Sequence, residues 1–427
     1  MAVSRVAASR GVSSREVSRE VSRVVPRVVI TGQGCVSPLG LTAVATWQAM
    51  CEGRTGIARL TGLNAADLRT AVAAQLKGYE PAAHFDEKRL VLLDPVSQYA
   101  LVAAREAMAQ AGLKLEGDVA DRVAVVIGTG IGGASTQDSM ARRLYGEGNP
   151  RVHPMAIVRV MPNAPASQIS LEMGLRGPVF AVASACASAN HALGQALMLL
   201  QSGVVDVALA GGVEACITVG TVKAWEAMRV MADDTCRPFS KGRRGLVLGE
   251  GAGVFVLETL EHAQARGATI LAEFAGVGMS ADAADIVMPD AGGAARAMRA
   301  ALAQAGLAPQ DVGYINAHGT GTTANDRTET RAIHAVFGEH ARQLAVSSTK
   351  SMHGHALGAG GAIELVAVIG ALRDGVLPPT INYLDADPEC DLDVVPNVAR
   401  QRRIEAALSN SFAFGGLNAV LALRRWA

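Results

Sequence analysis

A cysteine at a predicted turn between a strand and a helix is the best candidate for a nucleophile. Residues 178–203 begin with an apolar run that is typical of a buried strand and continue, after Ser184, Ala185 and Cys186, with apolar residues at helical spacing. Cys186 would then lie near a helix N-terminus, where unpaired N–H groups and the helix dipole favour a thiolate over a thiol. A buried cysteine that serves only as a small apolar side chain is the alternative.

Three other stretches carry polar groups next to glycines. His318 follows a short predicted strand in YINAHGTGT, and Lys350, His353 and His355 precede a predicted helix that contains Glu364. The stretch NSFAFGGLN places a Phe-Gly-Gly turn between two strands and leaves backbone N–H groups free to face a ligand. Each histidine alone could be an ordinary core residue. With the cysteine, these stretches supply a thiol, imidazoles, an ammonium group and amide donors, which acyl transfer requires.

The elements that must position these groups alternate along most of the chain. Strands that are apolar on both faces and alternate with helices imply a sheet covered on both sides. The predicted strands span 28–34, 123–128, 204–210, 253–258, 269–276, 312–316, 345–348, 406–410 and 419–424, and the predicted helices span 42–53, 94–112, 292–306 and 362–373. Both parts of the chain repeat a strand that leads into a turn of small residues, so we predict an internally duplicated, layered α/β architecture.

One glycine-rich stretch in this series, GTGIGG at residues 128–133, resembles a nucleotide-binding loop only superficially. It fits neither the Walker pattern nor the dinucleotide-binding fingerprint. We therefore expect the glycines to allow close packing of the backbone.

Composition and charge exclude several classes of protein. The 427 residues are 50% hydrophobic, and 39 basic residues balance 39 acidic ones, so nothing global attracts nucleic acid or an anionic membrane surface. The six cysteines lack the spacing of a zinc site or a disulfide framework, which favours a reducing cytoplasm and no metal. No apolar run reaches the roughly 18 residues that cross a membrane.

The first 26 residues differ from the rest. MAVSRVAASRGVSSREVSREVSRVVP repeats Ser, Arg, Val and Glu and lacks the apolar core of a signal peptide. We expect residues 1–26 to be a disordered or partly helical extension outside the fold. An organellar transit peptide is the alternative, and Glu16 and Glu20 count against it.

Four motifs, in chain order, resemble those of the β-ketoacyl-[acyl carrier protein] synthases of the thiolase superfamily, specifically the condensing-enzyme II type. They are ACASANHALGQAL, NAHGTGTTAND, SSTKSMHGHALGAGGAIE and NSFAFGGLNA, and the resemblance extends over about residues 27–425. PECDLDVVPN and GTGTTANDRTET are similar to the nodulation protein E branch and related specialised polyketide or fatty-acyl synthases. The resemblance implies a thiolase-like fold with two similar halves in αβαβα layers. The first half spans residues 27–272 and contains the nucleophile, and the second half spans residues 273–427 and contains the histidines.

The resemblance also implies a reaction. Cys186 corresponds to the nucleophile that takes an acyl chain from a carrier-protein thioester. His318 and His355 correspond to the pair that binds the malonyl thioester and stabilises the enolate formed when carbon dioxide leaves. The enolate then attacks the acyl group on the cysteine and extends the chain by two carbons. Lys350 and Glu364 correspond to a charged pair that supports the histidines. Decarboxylation generates the carbanion, so no cofactor is expected.

Further residues match family positions around this site. The amides of Cys186 and Phe414 correspond to an oxyanion hole, and Phe414 also corresponds to a gating aromatic residue. Ile131 and Trp225 correspond to the wall of an acyl tunnel, with ordinary core packing as the alternative.

The family also implies partners. Lys88, Arg89 and Arg229 are candidates for docking an acidic acyl carrier protein, with solvated surface charge as the alternative. A homodimer is expected, and a heterodimer with an inactive relative is the alternative.

Two other functions remain open. A degradative thiolase would use a second cysteine as base, but Cys390 lies in DPECDLD rather than in a glycine-rich turn. A non-catalytic chain-length partner would lack the nucleophile.

Three residues depart from the family pattern. His353 stands where a small polar residue is usual, and is expected at the surface or behind the site. Ala413 and Leu417 replace Gly and Thr beside the gate and could stiffen it.

Overall fold

The computed structural model describes residues 25–63 and 68–426. Its first part contains β1 (Val28–Val36), α1 (Ala43–Cys51), β2 (Ala58–Arg59), β3 (Val72–Ala73), α2 (Glu87–Leu92), α3 (Pro95–Ala111), β4 (Val123–Gly128), α4 (Ala134–Ala141), α5 (Ala156–Val160), α6 (Ala164–Met173), β5 (Val179–Val182), α7 (Ser188–Gln201), β6 (Val207–Glu214), α8 (Val219–Met228) and β7 (Gly251–Thr259). Its second part contains α9 (Leu260–Ala265), β8 (Ala272–Ala281), α10 (Ala291–Ala305), β9 (Val312–Asn316), α11 (Thr323–Phe337), β10 (Ala345–Ser347), α12 (Lys350–His353), α13 (Gly360–Asp374), β11 (Val376–Leu377), β12 (Arg400–Gln401), β13 (Ala406–Ala413) and β14 (Leu417–Arg425).

The main sheet consists of two halves with the same topology. Its ten strands follow the order β10-β9-β13-β14-β8-β1-β7-β6-β4-β5. In the first half β4 is parallel to β5 and β6, and the pairs β6–β7 and β7–β1 are antiparallel. In the second half β9 is parallel to β10 and β13, and the pairs β13–β14 and β14–β8 are antiparallel. A short antiparallel pairing of β1 with β8 joins the halves. The predicted duplication is therefore present in the strand order.

Helices fill the space between the halves and cover their outer faces. α7 contacts β4 and β6 of the first half and β8 and β14 of the second, and α13 contacts β7, β13 and α7. α3 packs on β1 and β7, whereas α10 packs on β8 and β14. Alternate residues of β4 face different layers, since Val125 packs with α3 and Val126 packs with α7. The predicted thiolase-like αβαβα layering is confirmed.

Glycine in the first strand of each half allows the outer helix to approach closely. A Cβ atom on Gly34 of β1 would lie 1.9 Å from the carbonyl oxygen of Ala103 in α3. A Cβ atom on Gly278 of β8 would lie 1.9 Å from the carbonyl oxygen of Ala297 in α10. Neither distance is sterically allowed, so these glycines let helix and strand backbones touch.

Most predicted elements are present, with shifted ends. β4 and β9 have the predicted bounds, whereas β6 spans Val207–Glu214 instead of 204–210. The difference arises because the N–H of Val204 still closes the last turn of α7 by donating to Leu199. β8 starts later than predicted, at Ala272, and runs on to Ala281 because it stays paired with β14.

Residues 1–24 of the predicted extension lie outside the described residues. The predicted boundary after residue 272 falls at the start of β8 and stays a prediction. Within the described part of the chain, no helix is both long and apolar enough to cross a membrane.

Candidate active site

Cys186 lies in a strained turn between β5 and α7. Ala185–Ala187 form a turn of 3-10 helix, and α7 begins only at Ser188. Ala185 has a φ of 49°, in the left-handed region, which costs a residue with a Cβ atom about 1–2 kcal/mol. Ser188 Oγ stabilises the turn, because it donates to the Ala185 carbonyl at 2.7 Å and accepts the N–H of Ser184 at 2.9 Å. The turn places Cys186, which is 6% exposed, in the wall of a cavity.

Two histidines from the second half line the same cavity. His355 Nε2 lies 3.0 Å from Cys186 Sγ. The rings of His318 and His355 are nearly perpendicular, with centroids 5.3 Å apart. The structure therefore brings together the three residues that the motifs singled out.

The duplicated fold explains how residues so far apart in sequence meet. Cys186 follows β5 and precedes α7, and His355 follows β10 and precedes α13. These are equivalent positions in the two halves. Because α7 and α13 pack on each other in the central layer, the turns that lead into them also touch.

A buried carboxylate that the sequence analysis missed holds the turn of His318. Glu329 of α11 is 1% exposed and accepts the N–H groups of His318 at 2.9 Å and Gly319 at 2.8 Å. The side chain of Asn410 donates to the same carboxylate at 3.0 Å. One signal was present in the sequence: Asp326 and Glu329 lie three residues apart, so on a helix they share a face with the apolar Ile333.

Burial keeps the thiol and the imidazoles neutral. Burial raises the pKa of the Cys186 thiol to about 12, although the charge of Lys350 and the N–H groups of Cys186 and Phe414 lower it. This is opposite to the lowered pKa expected at a helix N-terminus, because desolvation outweighs the nearby donors. Burial, followed by the charge of Lys350, lowers the pKa of His318 and His355 well below the usual range. A neutral thiol therefore faces a neutral imidazole across 3.0 Å.

Lys350 and Glu364 form a buried ion pair close to the histidines. Lys350 Nζ donates to Glu364 Oε1, and the two side chains are 1% and 0% exposed. Burial raises the pKa of the Glu364 carboxyl to about 7, and Lys350 partly offsets this rise. The ammonium group opposes protonation of both imidazoles, so it favours their neutral, N–H-donating form.

The Phe-Gly-Gly turn connects β13 to β14 and directs one amide toward the thiol. The N–H groups of Gly415 and Gly416 donate to backbone carbonyl groups. The N–H of Phe414 instead interacts with Cys186, where it lowers the thiol pKa. The sequence predicts free amides in this turn, and in the structure the N–H of Phe414 has that property.

Aromatic stacking closes one side of the cavity. The ring of Phe414 stacks on Trp225 of α8, with centroids 5.7 Å apart and planes 27° from parallel. Ala413 and Leu417 are paired in the register of the hairpin, directly at the base of the turn. The cavity wall includes Trp225, Phe414 and the hydroxyl-bearing Thr320 and Thr322.

The remaining predicted residues occupy different surroundings. Ile131 is half-buried and packs against the apolar cluster that contains Cys186, outside the cavity wall. Arg229 is exposed at the end of α8, and in the sequence it lies between Trp225 and Val230, which both line the cavity. His353 is fully buried rather than at the surface, and its Nε2 lies 3.0 Å from Thr349 Oγ1.

The two basic candidates on α2 lie outside the cavity wall. Lys88 is exposed, whereas Arg89 is half-buried and lies 3.5 Å from Glu172. Glu172 also pairs with Arg105 at 2.6 Å, so the charge of Arg89 is already partly balanced. Among the described residues, no group of three or more potential metal-binding side chains occurs.

Known proteins resemble this chain over most of its length. The family model described as "Beta-ketoacyl synthase, N-terminal domain" matches residues 26–263, and "Beta-ketoacyl synthase, C-terminal domain" matches residues 271–384. "Nodulation protein E" of Rhizobium sp. (strain N33) is 53% identical over 93% of this chain and 98% of its own length. "3-oxoacyl-[acyl-carrier-protein] synthase 2" of Staphylococcus aureus (strain N315) is 43% identical over the same shares.

A solved structure extends the comparison to three dimensions. The complex titled "AntDE:AntF (apo): type II PKS acyl-carrier protein in complex with its ketosynthase bound to the hexaketide" contains a chain that aligns with a TM-score of 0.86. That chain is 31% identical, and the alignment covers 95% of this chain and 100% of the other. The resemblance inferred from the four motifs is confirmed, and the chain belongs to the β-ketoacyl synthase family.

Proposed function

We propose that this protein is a β-ketoacyl-[acyl carrier protein] synthase. It condenses an acyl group on Cys186 with a malonyl group and releases carbon dioxide. The observation that carries the proposal is the 3.0 Å contact between Cys186 Sγ and His355 Nε2, in a cavity that also contains His318. A nucleophile beside a proton acceptor, with a second imidazole nearby, meets the needs of both half-reactions.

In the first half-reaction, Cys186 takes the acyl chain. His355 Nε2 accepts the thiol proton, and the sulfur attacks the thioester carbonyl carbon. The N–H groups of Cys186 and Phe414 bind the developing oxyanion, and each such donor stabilises a transition state by about 2.7–4 kcal/mol. The bond to the carrier's sulfur then breaks, and that sulfur leaves with the proton from His355.

In the second half-reaction, the malonyl thioester carbonyl oxygen binds between His318 and His355. Each neutral ring then presents an N–H group to this oxygen, so His355 must have changed to the tautomer protonated at Nε2. The bond to the malonyl carboxylate breaks, carbon dioxide leaves, and the electron pair forms an enolate whose oxygen the two imidazoles hold. The enolate carbon attacks the acyl carbonyl on Cys186, and the carbon–sulfur bond breaks. Cys186 leaves as a thiolate and takes up a proton from water, which restores the neutral thiol. The chain leaves on the carrier, two carbons longer. Lys350, paired with Glu364, favours the neutral form of both imidazoles during this half-reaction.

Acyl carrier protein would deliver both substrates, as the names of the relatives suggest. Arg229 would contribute to docking because it is exposed and directly precedes the cavity-wall residue Val230 in sequence. Lys88 and Arg89 on α2 would add further basic charge. Trp225 would form the wall of the acyl tunnel, with Ile131 behind it. We further propose a cytoplasmic homodimer that acts in a specialised fatty-acyl or polyketide pathway, and a heterodimer with an inactive relative is the alternative.

Product analysis tests this function. The purified protein is incubated with a ladder of acyl-carrier substrates and malonyl-carrier protein, and the products are read by mass spectrometry. We expect an acyl adduct on Cys186 and a β-ketoacyl product two carbons longer than the substrate. A thiol adduct without any extended product would contradict the proposal, and so would extension without carbon dioxide release.

A further inference from the structure

A second buried carboxylate joins a turn of the first half to a turn of the second. Glu214, the last residue of β6, is 0% exposed. Its Oε2 accepts the N–H groups of Gly130 at 2.7 Å and Gly358 at 2.9 Å. Its Oε1 accepts the N–H of Ile131 at 3.2 Å and the hydroxyl of Thr129 at 3.1 Å. One side chain thus satisfies four donors from two distant segments.

The first of these segments supports the nucleophile. Residues 129–131 belong to the glycine-rich stretch that follows β4, and the hydroxyl of Ser188, the first residue of α7, donates to the Thr129 carbonyl at 3.4 Å. The last residue of β4, Gly128, also lies against α7. A Cβ atom on Gly128 would lie 2.4 Å from the carbonyl of Ser188. Ser188 is also the residue whose hydroxyl stabilises the Cys186 turn through Ala185. A displacement of the stretch would therefore move the thiol.

The second segment supports the histidine. Gly358 lies in the Leu357–Ala359 turn, three residues after His355. Its backbone touches the first segment, since a Cβ atom on Gly358 would lie 2.4 Å from the nitrogen of Gly130. On its other side His355 is fixed by backbone hydrogen bonds, to Val247 at 2.7 Å and from Gly249 at 2.9 Å. The Gly358 contact therefore supports the segment that carries the imidazole on the side that these bonds leave open.

A carboxylate suits this place better than its amide would. An ionised Glu accepts through both oxygens and donates nothing, whereas a Gln side chain would present an NH₂ group to N–H and O–H donors. The second half uses the same device, since Glu329 holds the turn of His318 after β9. A carboxylate thus holds the turn after the equivalent strand in each half.

We propose that Glu214 is a positioning residue that sets the separation of Cys186 Sγ and His355 Nε2. It contacts neither atom and acts by holding the Gly130 and Gly358 backbones together. The inference rests on the proposed function, because it assigns Glu214 to that reaction.

Three variants test the role. Glu214→Gln keeps the shape but turns an acceptor into a donor, and Thr129→Val removes one donor while the carboxylate stays. Glu106→Gln is the matched control, because Glu106 also accepts backbone N–H groups from two segments, at Cys35 and Ala43, away from the cavity. We expect kcat of Glu214→Gln to fall about 10–100-fold with KM nearly unchanged, since a small misplacement of reacting groups has that effect. Thr129→Val should show a smaller loss of kcat.

The outcomes separate this inference from the proposed function. A folded Glu214→Gln protein with the kcat of the wild type would overturn the inference, and so would an equal loss in Glu106→Gln. If Glu214→Gln does not fold, Thr129→Val decides, because an unchanged kcat there would overturn it. If the wild type itself forms no product, the proposed function fails instead. In that case the rate at which iodoacetamide alkylates Cys186 tests the inference, because this reaction needs no substrate. We expect a slower rate in Thr129→Val than in the wild type, and an equal rate would overturn the inference.

Discussion

The two histidines should differ in one half-reaction and agree in the other. His355 Nε2 lies 3.0 Å from Cys186 Sγ, whereas His318 lines the same cavity with its ring centroid 5.3 Å from that of His355. We therefore expect alanine at either position to impair decarboxylation, and alanine at His355 alone to impair acylation strongly.

The expected magnitudes follow from the donors that each change removes. Loss of one donor to the enolate oxygen costs about 2.7–4 kcal/mol, which is a decrease of about 10²–10³-fold in carbon dioxide release for either variant. Loss of the proton acceptor for the thiol removes a contribution of about 10²–10⁴-fold. That loss should slow acylation in His355→Ala, while His318→Ala acylates at a rate close to the wild type.

Two separate assays read the two steps. Acylation is followed by intact-mass spectrometry with an acyl-carrier substrate alone, and decarboxylation by carbon dioxide release from malonyl-carrier protein alone. His340→Ala serves as control, because His340 binds the carbonyl of Val312 and lies outside the cavity wall. Equal acylation defects in His318→Ala and His355→Ala would refute the assignment of the proton acceptor. Near-normal carbon dioxide release from either variant would remove that histidine from the site.

Four further changes test other groups. Cys186→Ala should abolish the acyl adduct and condensation, and an adduct of unchanged mass would show that another residue is the nucleophile. Lys350→Met should raise the pKa of both imidazoles, because the ammonium charge of the wild type lowers it. The acid limb of the kcat/KM profile should therefore move to higher pH. Glu364→Gln leaves a buried ammonium unpaired and should lower the free energy of unfolding by about 3–5 kcal/mol, as measured with urea. Lys88→Glu should raise KM for carrier-bound substrate in a salt-dependent way, without changing kcat or the reaction of a small acyl thioester.

Local patterns predicted the surroundings of each motif but not the contacts between motifs. The strand before Cys186 and the helix after it were evident because their apolar spacing is a property of a short segment. Its contact with His355 spans 169 positions and depends on how the two halves pack. The left-handed Ala185 was equally invisible, since packing around the turn imposes that conformation.

The residues that sequence reasoning missed share one physical cause. Glu214 ends an apolar strand and Glu329 lies in a helix rich in charged residues, and an acidic side chain in either context is usually solvated. Only the tertiary structure shows that backbone N–H groups of other segments surround both carboxylates. The predicted lowering of the thiol pKa was wrong for the same reason, because the helix N-terminus is a local feature whereas desolvation arises from burial in the tertiary structure.

Neutrality of the site has a consequence for how the nucleophile works. Burial raises the pKa of the Cys186 thiol to about 12, so the resting enzyme holds this group mainly as the protonated thiol near neutral pH. The proton must leave when the substrate arrives, and the acceptor at 3.0 Å is an imidazole whose own pKa is depressed. Proton transfer therefore becomes favourable only when the oxyanion donors of Cys186 and Phe414 share the developing charge. This coupling would make alkylation of the resting thiol slow, although still measurable, compared with its acylation by substrate.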